Sequence, residues 1–403
     1  MWPSTLVILF LAFQSNHYEL GMKALDEKRY DEAVQQFTHA IAAEPKDYTL
    51  HFNLGLAYSL LGKDADAVPE YQKALEMKPD LYQANLNLGI SLVRLKKSAE
   101  AAPYLTSAVA EKPKEYRPNY YLGAALAGAS DFAKAEQAYT AALAIDPKSP
   151  DAELGLAHAL AKQNRLADAA PHFQKAADLN PSYRDDLLEL ATLYEAHNQA
   201  SEAIALYQQF PDNPGAQERL GALLITTGHA ADAVPHLETA VSKSPTVANR
   251  AALATGYLKN NQPDKALPVV EEILAADPND FEIRMLHGRI IRDQRKFPLA
   301  AQDFLRATTM KPDSPEAWSE LATVLVLAED FPAALSALDK LAALHAEKPG
   351  HVYLRAIVLD KVNDRKPALE SYQRFLAMSN GQNPDEEFKA RQRLRILQRE
   401  IKK

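Results

Sequence analysis

Residues 51–79 read HFNLGLAYSLLGKDADAVPEYQKALEMKP. Within them His51, Leu54-Gly55 and Tyr58 fall at i, i+3/i+4 and i+7, which is one stripe of a helix. Gly62-Lys63-Asp64 interrupts that helix, Ala67, Tyr71, Ala74 and Leu75 form the stripe of a second, and Pro79 ends the unit. The same marks recur outward at a step of 34 residues: prolines at Pro45, Pro79, Pro113, Pro147 and Pro181, and alanines at Ala33, Ala67, Ala101, Ala135 and Ala169. Small residues follow at Gly21, Gly55, Gly89, Gly123 and Ala157. Three independent markers holding one period across five units make this a repeat rather than a chance pattern.

The period continues with some damage. Leu190-Ala191, Tyr194, Ala203 and Tyr207 carry a sixth unit, cut short by Gln208-Gln209-Phe210-Pro211. Ala233, Ala266, Ala300, Ala334 and Ala368 carry five more, giving eleven units from about Gln14 to Gly381. No such unit can bury its own apolar stripe, so each must stack on its neighbours: the expected fold is an all-α solenoid of helix pairs. The small residue of the first helix and the alanine of the second are expected where the two backbones come closest. A larger side chain there would overpack, at about 1–3 kcal/mol.

The run Asn53-Leu54-Gly55-Leu56-Ala57-Tyr58, then Asp66-Ala67-Val68, Tyr71-Gln72-Lys73-Ala74-Leu75 and Lys78-Pro79, resembles the tetratricopeptide repeat almost position by position, and the resemblance covers nearly the whole chain. It implies antiparallel helix pairs stacked into a right-handed superhelix whose first helices line the concave face. Two uses of that family do not fit. Its chaperone-binding clamps grip a C-terminal carboxylate with Lys, Arg and Asn at inner positions, which Tyr18, Met22, Phe52 and Leu56 occupy here. The asparagine ladder of the nucleocytoplasmic glycosyltransferase superhelix is represented only by Asn53 and Asn87, and Tyr121 interrupts it.

Prolines inside the second helices are compatible with this reading. Pro298 and Pro332 fall at a helix start, where a missing N–H is harmless. Pro69, Pro103, Pro171, Pro235 and Pro268 share one position further in, and each removes a hydrogen bond that an outward-facing carbonyl can recover from water.

Residues 1–13, MWPSTLVILFLAF, contain an apolar run too brief for a membrane span. The run resembles the hydrophobic region of a secretory signal, although no Lys or Arg precedes it and no small-x-small cleavage site follows. It predicts a periplasmic or secreted protein of a bacterial cell envelope. The alternative is a cytoplasmic protein in which these residues cap the first repeat. At the other end Asn380-Gly381-Gln382-Asn383-Pro384 marks a stop, and residues 382–403 are expected to hold a C-terminal capping helix. Phe388, Leu394, Leu397 and Ile401 are its expected buried stripe, with Arg391, Arg393, Arg395 and Arg399 on a solvated face.

Composition removes several classes of function. The chain has no cysteine, which excludes disulfides, thiolate metal sites and a catalytic thiol. Its 45 Lys+Arg against 53 Asp+Glu give a net charge of −8, so nucleic acid is not an expected partner. No glycine-rich phosphate loop, His-Glu-x-x-His or nucleophile elbow occurs. His229 falls in an inter-helix turn and His236 on the outer helix, and His158 and His172 sit in different helices of one repeat with no acidic third ligand at an evident spacing, so no metal, no cofactor and no catalytic residue is expected.

What is left is a binding surface. The inner positions of the first four units are Tyr18, Met22 and Leu25; Phe52, Leu56 and Leu60; Leu86, Ile90 and Val93; and Tyr120 with Ala124. Such an apolar and aromatic track is the expected groove for a protein or peptide partner. Beyond it the same positions turn polar, at His158, Lys162, Glu195, Glu218, Lys259, Arg289, Arg292 and Asp293. The expected function is a non-catalytic protein–protein interaction scaffold. That scaffold is monomeric or weakly self-associating; the alternative is a structural subunit of a larger complex or homo-oligomer that keeps the track as a permanent interface. An enzyme requires a site in the bend at Pro211–Pro214, and the sequence places no titrating cluster there.

Overall fold

The computed structural model describes residues 17–401, so the reading of residues 1–13 lies outside the described residues. These contain α-helices, one short 3₁₀ turn (Pro181–Tyr183) and no strand. The chain divides into two compact units, Met1–Leu206 and Tyr207–Lys403. In the first lie α1 (17–26), α2 (Tyr30–Ala43), α3 (Tyr48–Leu60), α4 (Asp64–Met77), α5 (Tyr82–Arg94), α6 (Ser98–Glu111), α7 (Tyr116–Gly128), α8 (Phe132–Ile145), α9 (Pro150–Lys162), α10 (Leu166–Leu179) and α11 (Asp186–Ala196). The short α12 (Ala200–Tyr207) ends at the division. The second unit holds α13 (Pro214–Thr226), α14 (Ala230–Lys243), α15 (Val247–Lys259), α16 (Pro263–Ala276), α17 (Phe281–Asp293), α18 (Phe297–Met310), α19 (Pro315–Leu327), α20 (Phe331–Ala343), α21 (Pro349–Lys361), α22 (Arg365–Ser379) and α23 (Pro384–Ile401).

Within each unit, first helices pack on their own second helix and on the second helix before it, as α5 does on α6 and α4 and α15 on α16 and α14. Neighbouring first helices also touch one another: α3 meets α5, α5 meets α7 and α7 meets α9, and in the second unit α13 meets α15 and α15 meets α17. The alanines of the period, Ala33, Ala67, Ala101, Ala135 and Ala169, are wholly buried. The glycine notch differs from expectation. A methyl group on Gly55 would lie 2.8 Å from Tyr71 Cδ1, and one on Gly89 2.4 Å from Leu105 Cγ. The glycine therefore makes room for the large side chain one turn beyond the alanine, not for the alanine itself.

The turns are built by three devices. At the end of each first helix one residue takes the left-handed conformation: Lys28, Gly62, Lys96, Ser130, Asn164 and Asn198 in the first unit, at the 34-residue step. The next N–H then closes back on the helix, as Lys63 N does on Tyr58 O (2.9 Å) and Lys97 N on Leu92 O (2.8 Å). Between repeats, the carbonyl of the marker proline accepts from a side chain six residues on. The donors are Asn85 for Pro79 (3.0 Å), Asn119 for Pro113 (3.0 Å), Arg284 for Pro278 (2.7 Å) and Trp318 for Pro312 (2.8 Å), and His51 Nε2 lies 3.2 Å from Pro45 O. These bonds give the turn carbonyls between repeats a side-chain partner. Finally, a polar pair joins the two helices of several units at a spacing of 19 residues. His51 Nδ1 meets Glu70 (2.5 Å), His172 Nδ1 meets Glu153 (2.6 Å) and His236 Nδ1 meets Gln217 (2.8 Å). The imidazole is on the first helix in one unit and on the second in the others.

Pro69, Pro103, Pro171, Pro235 and Pro268 all lie inside second helices and all are exposed, so their lost hydrogen bonds face water. On α23 the buried stripe is Glu387, Ala390, Leu394 and Leu397, with Ile401 half-buried. Phe388 is a correction: it is 62% exposed. Counting back from Leu394 in steps of four and three reaches Ala390 and Glu387, and Phe388 stands beside that stripe. Glu387 accepts from Ser379 Oγ and Gly381 N, both at 2.6 Å, and pairs with Arg391 Nη2 at 2.7 Å. Arg393 grips Asp360 with two bonds, leaving Arg395 and Arg399 on the exposed face.

Candidate protein-binding surface

The first helices of the first unit bring the expected groove residues onto neighbouring helices, and the structure sorts them by exposure. Tyr18 is 36% and Leu60 47% exposed. Met22, Leu25, Phe52, Leu56, Val93, Tyr120 and Ala124 are half-buried. Leu86 and Ile90 are corrections: at 6% and 3% exposure they belong to the core cluster of Tyr71, Leu88, Leu92 and Leu105. Phe52 from the preceding first helix and Tyr121 from the following one pack on the same cluster.

A regular architecture underlies this surface. Tyr18, Phe52 and Tyr120 occupy one repeat position, and each lies on the ring seated at the glycine notch: Tyr18 on Phe37 (centroids 6.4 Å apart), Phe52 on Tyr71 (6.0 Å) and Tyr120 on Tyr139 (6.0 Å). Tyr120 also stacks on Tyr116 at 5.6 Å with planes 13° apart and meets Tyr121 edge-on at 5.1 Å. The inner aromatics are thus fixed in place by the core, which lowers the entropy cost of using them to bind. Burial pushes the hydroxyls of Tyr71 and Tyr139 up to about 12 and raises that of Tyr120 as well, so all three stay neutral at physiological pH. Tyr71 donates to Ser59 Oγ (3.1 Å), which lies 3.1 Å from Ser91 Oγ, adding a short polar line between α3 and α5.

Three polar inner positions of the second unit, Arg289, Arg292 and Asp293, are engaged in internal pairs. Arg289 bonds Glu320 Oε1 (2.8 Å) and Glu316 (2.5 Å), and Arg292 bonds Glu320 Oε2 (2.5 Å) and Asp293 (3.1 Å). Those guanidiniums are already neutralised by the repeat that follows. In the first unit the fold assembles a group that the sequence spacing hides: His158 on α9 faces Asp186 and Glu189 on α11. Among the described residues no helix is long and apolar enough to cross a membrane.

A family model described as tetratricopeptide repeat matches residues 18–82, 86–150, 154–216, 251–315 and 288–352. The chain belongs to the tetratricopeptide-repeat family. Proteins of this family bind protein partners and are generally non-enzymatic, and this tetratricopeptide-repeat chain is a protein-interaction scaffold. No curated protein matches it. Solved structures that resemble part of it include MamA from Desulfovibrio magneticus RS-1 (residue 41 to the end; 25% identity, 42% of this chain and 96% of that one, TM-score 0.40). The MamA of AMB-1 is similar at 25% identity, over 41% of this tetratricopeptide-repeat chain and 98% of its own, with a TM-score of 0.40.

Proposed function

We propose that this tetratricopeptide-repeat protein holds an apolar segment of a protein partner along the first-helix face of its first unit. The observation that carries the reading is the line of partly open groups, Tyr18, Phe52, Leu56, Leu60, Val93 and Tyr120, in which the three aromatic rings rest on rings of the core. Tyrosine and leucine anchors on fixed helices suit a helix or extended segment that inserts its own apolar side chains. The paired arginines of the second unit argue against a single acidic ligand there, because each already has carboxylate partners. The compartment reading, periplasmic or secreted, rests on the apolar run within residues 1–13 alone.

Affinity capture from the source cells tests the reading, with the wild type beside a Tyr18→Glu/Leu60→Glu variant and mass spectrometry of what is retained. Both side chains are exposed, so the variant is expected to keep its helicity and its melting temperature. A partner lost from the variant supports the groove. A partner retained equally by both moves the interface off this face and overturns the reading.

A further inference from the structure

His158, near the middle of α9, and the carboxylates of Asp186 and Glu189, in the first turn of α11, face one another across two neighbouring first helices. Asp186 and Glu189 are three residues apart and so share one side of α11. His158 Nε2 is 3.6 Å from Asp186 Oδ1 and Nδ1 is 3.9 Å from Glu189 Oε1, and one ligand atom from each of the three residues lies within 4.8 Å of the others.

The other His–carboxylate contacts of this molecule supply the internal comparison. His51 meets Glu70 at 2.5 Å, His172 meets Glu153 at 2.6 Å and His287 meets Asp303 at 2.6 Å. Those are closed hydrogen bonds between packed helices. At His158 neither ring nitrogen reaches hydrogen-bonding distance of its carboxylate: Nε2 is turned to Asp186 and Nδ1 to Glu189, so an ion would take one of the two nitrogens and draw in the second carboxylate. Metal–nitrogen and metal–oxygen bonds of about 2.0–2.2 Å put ligand atoms about 3.0–3.4 Å apart in tetrahedral or octahedral geometry. The Nε2–Asp186 separation stands just outside that range, and the exposed Glu189 side chain has up to 4.8 Å to close by rotation. The His158 ring also stands edge-on to Phe173, with centroids 5.0 Å apart and planes at 87°, which limits its rotation.

We propose that His158, Asp186 and Glu189 bind one divalent transition-metal ion. One imidazole and two carboxylates form a borderline-to-hard donor set of net charge −2, suited to Zn²⁺ or Mn²⁺. Three protein ligands leave coordination positions open on the first-helix side of the fifth and sixth repeats. A ligand from a bound partner can occupy such a position.

The test is calorimetric titration of the full chain, freed of metal by chelator and dialysis, with Zn²⁺, alongside Co²⁺ titration read by visible absorption. The wild type is expected to bind one ion. His158→Ala and Glu189→Gln are each expected to weaken it at least about tenfold while circular dichroism stays unchanged. His229→Ala, which alters a histidine of an exposed turn, is expected to bind as the wild type does. The proposal is overturned if the wild type binds no ion, if His158→Ala binds as tightly as the wild type, or if His229→Ala loses as much affinity as His158→Ala.

Discussion

Ile90→Lys is expected to destabilise the first unit by at least about 4 kcal/mol, enough to leave much of it unfolded. Ile90 is 3% exposed within the cluster that Leu88, Leu92 and Leu105 form, so a lysine there brings a charge into an apolar surrounding away from water. In a stack of repeats the damage spreads, because each unit is stabilised by its two interfaces more than by its own core. Urea unfolding followed by circular dichroism measures the effect. Leu56→Glu, on the preceding first helix at the equivalent position but half-buried, is expected to cost far less. Near-wild-type stability of Ile90→Lys would place that side chain in the groove and return it to the binding surface.

The second large effect is expected at Asp303→Ala. Asp303 is 8% exposed and pairs with Arg284 Nη1 at 3.0 Å and His287 Nδ1 at 2.6 Å. Arg284 is itself nearly covered, its Nε has no hydrogen-bond partner, and its Nη2 is committed to the carbonyl of Pro278 at 2.7 Å. Removing the carboxylate strands the guanidinium in the turn between two repeats, a loss of about 3–5 kcal/mol in chemical denaturation of the full chain. Asp303→Asn, which keeps an acceptor and loses the charge, is expected to fall between the two. If Asp303→Ala is neutral, the pair contributes nothing net and the turn is held by packing alone.

The helix pairs were legible because the repeat writes one packing problem eleven times, and the residues that solve it sterically admit little variation. Ala67 and Gly55 are of this kind: one sits under a crossing helix, the other under the Tyr71 ring. Positions where chemistry, not size, is required were not legible as a repeat. The donor to the marker proline carbonyl is asparagine twice, then arginine or tryptophan, since all of these can present an N–H at the same point. The left-handed turn residue is glycine at Gly62 but lysine at Lys28 and Lys96, where helix packing overrides the residue's own preference. Burial along the groove also escaped the sequence. Phe52 and Leu86 hold the same repeat position, yet only Leu86 is covered, because coverage depends on the neighbours and not on the position. His158, Asp186 and Glu189 were missed for a related reason: the carboxylates belong to the next repeat, and spacing within one repeat does not reveal them.

The most direct measurement of the central claim is site-specific photocrosslinking in the source cells, with benzoylphenylalanine placed at Leu60 or Tyr18 on the first-helix face and at Pro69 or Pro103 on exposed second-helix positions. A discrete protein adduct is expected from Leu60 and Tyr18 and none from Pro69 and Pro103. An adduct formed from Pro69 and Pro103 and absent from Leu60 and Tyr18 would contradict it and put the binding surface on the second helices.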